Sequence, residues 1–261
     1  YGWFPSISGG WVPTQYDWYR NLLPFNNFLK FRASWGRVGN DRLKDENGND
    51  IRFPYLTTLG NVSSTWGTGL AENRTGSMNL KWEVSTKTNF GIDARFFDDK
   101  VDMTVDFFHT KTTDIFQRRA NIPDEGGLSN VLPYANIGSM KSWGMDGTLA
   151  YTHTFNKDMA LTVRGNFTHA ENEVIYWEQS GVNYPYQSNS GVPYKVQRGL
   201  IALGLFKDED DIKSSPKQTF MDNYRPGDIK YKDVNGDGKI DKDDVVPLNY
   251  SAEIGRASCR E

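Results

Sequence analysis

Apolar and polar residues alternate strictly in several segments, and this period of two constrains the fold more than any other feature, because successive side chains of an extended strand face opposite sides of a sheet. In "KVDMTVDFF", Val101, Met103, Val105 and Phe107 take one face and Asp102, Thr104 and Asp106 the other. Leu29, Phe31, Ala33 and Trp35 oppose Lys30, Arg32 and Ser34 in the same way, and Phe90, Ile92, Ala94 and Phe96 oppose Asn89, Asp93 and Arg95. Met145, Leu149, Tyr151 and Phe155 are set against Asp146, Thr148, Thr152 and Thr154. In "MALTVRGNFTH", Met159, Leu161, Val163 and Phe167 oppose Thr162, Arg164, Asn166 and Thr168. A sixth, weaker strand is expected over Phe4 to Val12.

Alternation alone also fits a soluble antiparallel sandwich with one solvated face. The connections favour a barrel. Asp98-Asp99-Lys100 and Asn156-Lys157-Asp158 read as tight turns, whereas Arg37 to Val84 and Asn172 to Ser251 are long, and outer-membrane barrels pair short periplasmic turns with long extracellular loops. The expected orientation has the chain descending along Phe4 to Val12, crossing the periplasmic side at Tyr16 to Asn27 and rising from Phe28. Six strands cannot enclose a plug, so the expectation is an all-β, antiparallel transmembrane β-barrel in part, about six strands of a larger structure.

Composition agrees. Aromatic residues make up 14% of the chain and charged ones 24%, as a barrel with aromatic girdles and a polar interior requires. No apolar stretch approaches the roughly 18 residues of a membrane-spanning helix. With 30 basic and 33 acidic residues and a net charge of -3, no basic face offers itself to nucleic acid.

Four stretches resemble, in order, segments of the SusC/RagA family of TonB-linked outer-membrane proteins. These are "GWFPSISGGW" followed by "LKFRASWGRVGN"; "NLKWEVSTKTNFGID"; "NIGSMKSWGMDGTLAY"; and "GLIALGLFKDEDDI" with "RPGDIKYKDVNGDGKIDKDD". The resemblance spans nearly the whole chain. It implies a plugged barrel in the outer membrane of a Gram-negative, Bacteroidetes-like cell, contacting outer-membrane lipid and energised by the TonB complex. It also implies a SusD-like surface lipoprotein as lid, and import of glycans or, less commonly, peptides. Plug and TonB-contacting segment are expected upstream of Tyr1. Residues 1–252 are read as the partial barrel. Residues 253–261, "EIGRASCRE", read as a translated sequencing adapter, which removes Cys259, the one cysteine, from consideration.

"DVNGDGKIDKDD", residues 233–244, fits the twelve-residue calcium loop, with oxygen ligands at positions 1, 3, 5, 7, 9 and 12 and Gly at 6. Asp233, Asn235, Asp237 and Asp241 supply side-chain oxygens, Lys239 its carbonyl, and Gly238 the turn. Asp244 takes position 12, where Glu is usual. Ca2+ would be structural there, with an affinity on the order of 0.1 to 1 mM. The same residue types also build plain Asx turns.

Nothing points to catalysis. His109, His153 and His169 share no metal-ligand spacing, and the carboxylates of Asp98, Asp99 and "KDEDD" at Lys207 to Asp211 read as solvated. Trp66, Trp177, Tyr184, Tyr186 and Tyr194 fall in expected extracellular loops, where they either stack on substrate or pack the loops. Two further readings stay open: a passive porin, and a secreted calcium-binding sandwich or dockerin-like module, which would need a second aspartate loop flanked by helices.

Overall fold

The computed structural model describes residues 2–23, 25–44, 48–65, 67–122, 132–156, 159–221 and 223–248. Two compact units divide the chain, Tyr1–Asn172 and Glu173–Glu261.

The first unit is strand-built: β1 (Ser6–Trp11), β2 (Asn26–Asn40), β3 (Thr58–Ser64), β4 (Gly67–Arg74), β5 (Glu83–Phe96), β6 (Val101–Arg118), β7 (Tyr134–Asn156) and β8 (Met159–Tyr176), whose residues from Glu173 on belong to the second unit, with a six-residue helix α1 (Asp17–Leu22) between β1 and β2. Six of these strands form one sheet in the order β1-β2-β5-β6-β7-β8. Each pairs with the next strand of the sheet, an up-and-down meander with the β3–β4 hairpin inserted between β2 and β5, and β1 and β8 are the outermost strands among the described residues. Register runs straight across the sheet: Trp11 faces Phe31, Phe31 faces Ile92, Ile92 faces Val105, and Val105 faces Gly147. Cross-strand bonds from Thr148 to Asn166 and between Thr152 and Thr162 fix the β7–β8 register.

All six expected strands are present, and five run well past their expected ends. β6 has 18 residues and β7 has 23, more than the roughly 9 to 11 a tilted strand needs to cross a bilayer. The stretch read as a long connection from Arg37 to Val84 holds the end of β2, the start of β5 and a separate β3–β4 hairpin. Between β5 and β6 the chain reverses over Phe97–Lys100. Asp98 and Asp99 both take positive φ, 55° and 62°, and the Lys100 N–H donates to the Phe97 carbonyl. This is the twist of a type I′ hairpin turn, which Asp tolerates better than bulkier residues. Lys157 and Asp158, expected to form the second tight turn, lie outside the described residues, as do residues 253–261.

The second unit is built from small pieces: β9 (Arg198–Gly199), β10 (Ala202–Leu205), helix α2 (Glu209–Ser214), β11 (Lys217–Gln218), β12 (Ile229–Tyr231), β13 (Lys239–Ile240) and β14 (Val246–Pro247). Its pairings are β10 with β12, β11 with β13 in parallel, and β9 with β14. Val174, Phe206, Ile240 and Val246 are buried in it, together with the polar Glu178, Gln218 and Asp244. Asp208 caps α2 by accepting the Asp211 N–H, satisfying one of the amides a helix start leaves unpaired.

Candidate functional site

The two faces of the six-stranded sheet differ in kind. On one face stand Ile7, Trp11, Trp35, Phe90, Phe107, Met145, Leu149, Tyr151, Phe155, Leu161, Val163 and Phe167, every one exposed. Register joins them into one continuous apolar field. Trp11 stacks on Phe31 at 5.9 Å and Phe31 on Phe90 at 6.2 Å. His153 belongs to this face, between Tyr151 and Phe155, with 4.5 Å to the Phe155 ring, and is packed as one more ring. His109 also lies on this face, opposite Trp143, while the His169 ring bonds Glu171 at 3.2 Å. The three histidines share no site.

Charge fills the opposite face. Arg32 on β2 donates to both carboxylate oxygens of Asp93 on β5, at 2.8 and 3.0 Å, and to Asp106 on β6 at 3.0 Å. Asp146 stands opposite Asp106. The guanidinium lies over Gly91, where a Cβ would stand 2.4 Å from an Asp106 oxygen and 2.8 Å from Arg32. Glycine is therefore required there to let the cluster close. A cleft of about 610 Å³ opens beside it, with Ser8, Lys30, Asn89 and Asp146 in its walls. A bare apolar face backed by a wall of ion pairs matches a barrel whose outside meets lipid and whose inside is polar.

At the end of the sheet that carries the Phe97–Lys100 turn, rings gather. Phe25 stacks on Phe96 and Phe97 at 6.4 and 5.9 Å, and Trp18 meets Tyr19 edge-on at 5.7 Å. Buried Asn26 donates to the Tyr19 hydroxyl at 2.9 Å. Trp18 itself is 58% exposed. Amphipathic rings clustered at one margin of an apolar belt form an interfacial girdle.

In the second unit the calcium-type loop is closed by its own backbone. The Asp233 carboxylate accepts the Gly236 and Gly238 N–H groups, Asn235 accepts from Asp237, Asp237 from Lys239, and Asp241 from Asp243. Fully buried Asp244 accepts from Val234 and Asn235 on one oxygen and from Asp241 on the other. Gly236 and Gly238 take the positive φ values the turns demand, 78° and 81°. The residue types suit a hard oxygen-seeking cation. Yet among the described residues no three His, Cys, Asp or Glu side chains group closely enough to hold a metal by themselves. The loop lies between β12 and β14, contains β13 and ends in a 3-10 turn, Lys242–Asp244, without the flanking helices of a dockerin.

The loop rings divide into two sets. Tyr184 and Tyr186 stack at 5.3 Å and 7° and pack against the aspartate loop: the Tyr186 hydroxyl donates to the Asp243 carbonyl at 2.7 Å, and Asn235 donates to the Tyr184 hydroxyl. Desolvation first, then Tyr184 and nearby carboxylates, push the Tyr186 phenol above its ordinary pKa. Trp177 and Tyr194 instead face a cavity. Trp66 lies outside the described residues. Asp211, read as solvated, is paired: Lys230 donates to it at 2.7 Å and holds its carboxyl below the usual range, helped by the Lys207 N–H.

A family model described as TonB dependent receptor-like, beta-barrel matches residues 1–239. The chain belongs to the TonB-dependent receptor β-barrel family. TonB-dependent receptor P39 of Formosa agariphila is 30% identical over 92% of this chain. TonB-dependent receptor SusC of Bacteroides thetaiotaomicron is 24% identical over 94%. The chain spans about a quarter of the length of these curated relatives, 25% and 24%. Among solved structures, the RagAB peptide importer in its open-open state superposes with a TM-score of 0.67 at 20% identity, over 95% of this chain and 25% of that one. That likeness shows the fold. The sheet is thus a section of a TonB-dependent receptor wall of the SusC/RagA type, as its segments resemble. These relatives are receptors, not enzymes.

Proposed function

We propose that this chain is the wall and surface-loop portion of an outer-membrane importer that takes up glycans, or oligopeptides, with energy delivered through the TonB complex and a SusD-like lipoprotein as lid. The observation that carries the reading is the two-faced sheet, with an exposed apolar field outside and the Arg32–Asp93–Asp106 cluster inside. Such a wall has no use in water, where a patch of this extent drives aggregation. In lipid it is the stable arrangement.

The experiment is uptake by cells carrying the full-length gene, measured on labelled oligosaccharides and oligopeptides with and without a working TonB complex. Uptake that stops when TonB is lost supports the importer. Uptake unchanged by that loss replaces it with a passive porin.

We also propose that Ca2+ orders residues 233–244 without taking part in transport chemistry. A carboxylate oxygen has two lone pairs, so those of Asp233, Asp237 and Asp241 that accept one N–H keep capacity for a cation, whereas the Asp244 oxygen that accepts two does not. Hydrogen exchange over 233–244 in full-length protein, with ~1 mM Ca2+ or with chelator, tests it. Slower exchange with Ca2+ is expected; identical traces would show an Asx-turn loop that needs no metal.

A further inference from the structure

Within the second unit a cavity of about 310 Å³ opens among Val174, Trp177, Asn189, Tyr194, Lys195 and Arg198. Its floor is apolar, with Val174 3% exposed and Pro193 buried. Trp177 and Tyr194 form its sides, their ring centres 6.1 Å apart and their planes tilted by 48°. The Tyr194–Lys195 corner is held by a four-residue turn in which the Val196 N–H donates to the Pro193 carbonyl. Lys195 sits in that turn at a φ of +58°, a left-handed conformation lysine rarely adopts. The turn sets its ammonium 5.5 Å from the centre of the Tyr194 ring.

Charge in the cavity has one sign. Lys195 and Arg198 line it and no acidic residue does, among the described residues. Arg198 donates to the carbonyls of Tyr186 and Ser188 and to the Asn189 side-chain oxygen. Those acceptors are neutral, so they orient the guanidinium without cancelling its charge.

The backbone around the cavity is already committed. Val174 donates to Val192, Gly191 to Val174, Asn189 to the Gln179 side chain and Trp177 to the Ser190 hydroxyl. An extended peptide recognised by adding its main chain to a free edge finds few donors here. What the cavity offers is two ring faces and positive charge. Rings stack on the C–H face of a pyranose, and the volume, at the low end for ligand sites, suits one such ring better than a chain.

We propose that this cavity is a subsite for a carboxylated sugar residue of an acidic glycan, with Trp177 and Tyr194 holding the ring and Lys195 meeting the carboxylate. The assignment rests on the glycan branch of the importer reading and narrows it to an acidic substrate.

The test is isothermal titration of the purified full-length receptor with trigalacturonate, maltotriose and triglutamate, at low salt and again at ~0.5 M salt, where a Debye length of a few Å screens an exposed contact. Trigalacturonate is expected to bind best, with its advantage over maltotriose shrinking in high salt. Lys195→Gln, on an exposed side chain, should weaken trigalacturonate about fivefold and leave maltotriose unchanged. Trp177→Ala should weaken both sugars by a similar factor. Maltotriose binding as tightly as trigalacturonate, or trigalacturonate indifferent to Lys195→Gln, overturns the assignment. Triglutamate binding tightest, with sensitivity to Lys195→Gln, overturns the sugar class. TonB-dependent uptake that persists in either case leaves the importer reading standing, whereas uptake independent of TonB removes it whatever the cavity binds.

Discussion

The sheet of the first unit and the small fold of the second are held together by different forces. The strands β2 and β5 to β8, of 14 to 23 residues, are joined by long backbone ladders, while few of their side chains are buried, Ala94, Phe116 and Ala150 among them. In the second unit β9, β11, β13 and β14 have two residues each, too short for a ladder to matter. There, single side chains close the structure: Asp244 takes three N–H groups, Asp233 two, and Arg198 binds two carbonyls. The sheet therefore depends on the solvent that meets its outer face. The second unit depends on a few polar groups that ladders would make redundant.

The largest expected effect tests the solvent dependence. Val105→Arg places a charge in the middle of the apolar field and should cost about 2–4 kcal/mol in a lipid bilayer. Leu161→Arg, two residues from the end of β8, should cost less, since the penalty falls toward the interface. Thr104→Arg on the other face should be mild, because Thr104 faces Asp93 across β5 and β6. Folding in lipid vesicles against urea measures all three. Equal penalties on both faces would mean that the sheet is buried on both sides and that the lipid reading is wrong.

Next comes packing within the ladder. At Gly144 a Cβ would stand 2.2 Å from the His169 carbonyl oxygen and 2.9 Å from the Ala170 Cα, both backbone atoms that cannot step aside without parting β7 from β8. Gly144→Ala is expected to cost about 1–3 kcal/mol, read in the same vesicle assay, while exchange in the second unit stays unchanged. In the reverse direction, Asp244→Asn replaces one acceptor oxygen with a donor in a fully buried position, leaving an N–H facing an N–H. A cost of about 1–3 kcal/mol is expected, confined to faster exchange over 229–248. A loss of sheet stability from Asp244→Asn would show that the two regions do not hold themselves together separately.

The same contrast explains what the sequence disclosed. Strand cores such as Val101 to Phe107 were legible because one face had to be apolar, and that constraint writes a period of two into the chain. Beyond the apolar belt the constraint ends. Thr110, Lys111, Thr112 and Thr113 on β6 and Lys141 and Ser142 on β7 are polar on both faces, so the ladder continues where the pattern stops. The β3–β4 hairpin and the six residues of α1 are hidden for like reasons: the first lacks an apolar face, and the second is too short to show a helical period. Asp233 to Asp244 declared itself because its bonding is local, between residues two to ten apart. The bond from Tyr186 to Asp243 spans 57 positions, and nothing in composition or spacing forecasts it, nor the meeting of Trp177 with Tyr194. The divided role of the loop tyrosines and tryptophans was accordingly open until the chain was folded.

The smallest effect concerns one ion pair of the second unit. Lys230 donates to Asp211 at 2.7 Å, with side chains 28% and 22% exposed, and the bond lowers the Asp211 pKa. A carboxyl whose pKa is lower in the folded state contributes stability that is complete above its unfolded value, about 4, and disappears as pH falls through the folded value. The link between α2 and β12 should therefore hold throughout the neutral range and loosen below about pH 4. Hydrogen exchange over 207–231, corrected for intrinsic rates, should show the change, and Lys230→Met should weaken its pH dependence, leaving the smaller part due to the Lys207 N–H, while the sheet is untouched. Loosening that begins near neutral pH instead would mean that a different group holds α2. The Asp211–Lys230 bond would then be a surface contact of no consequence.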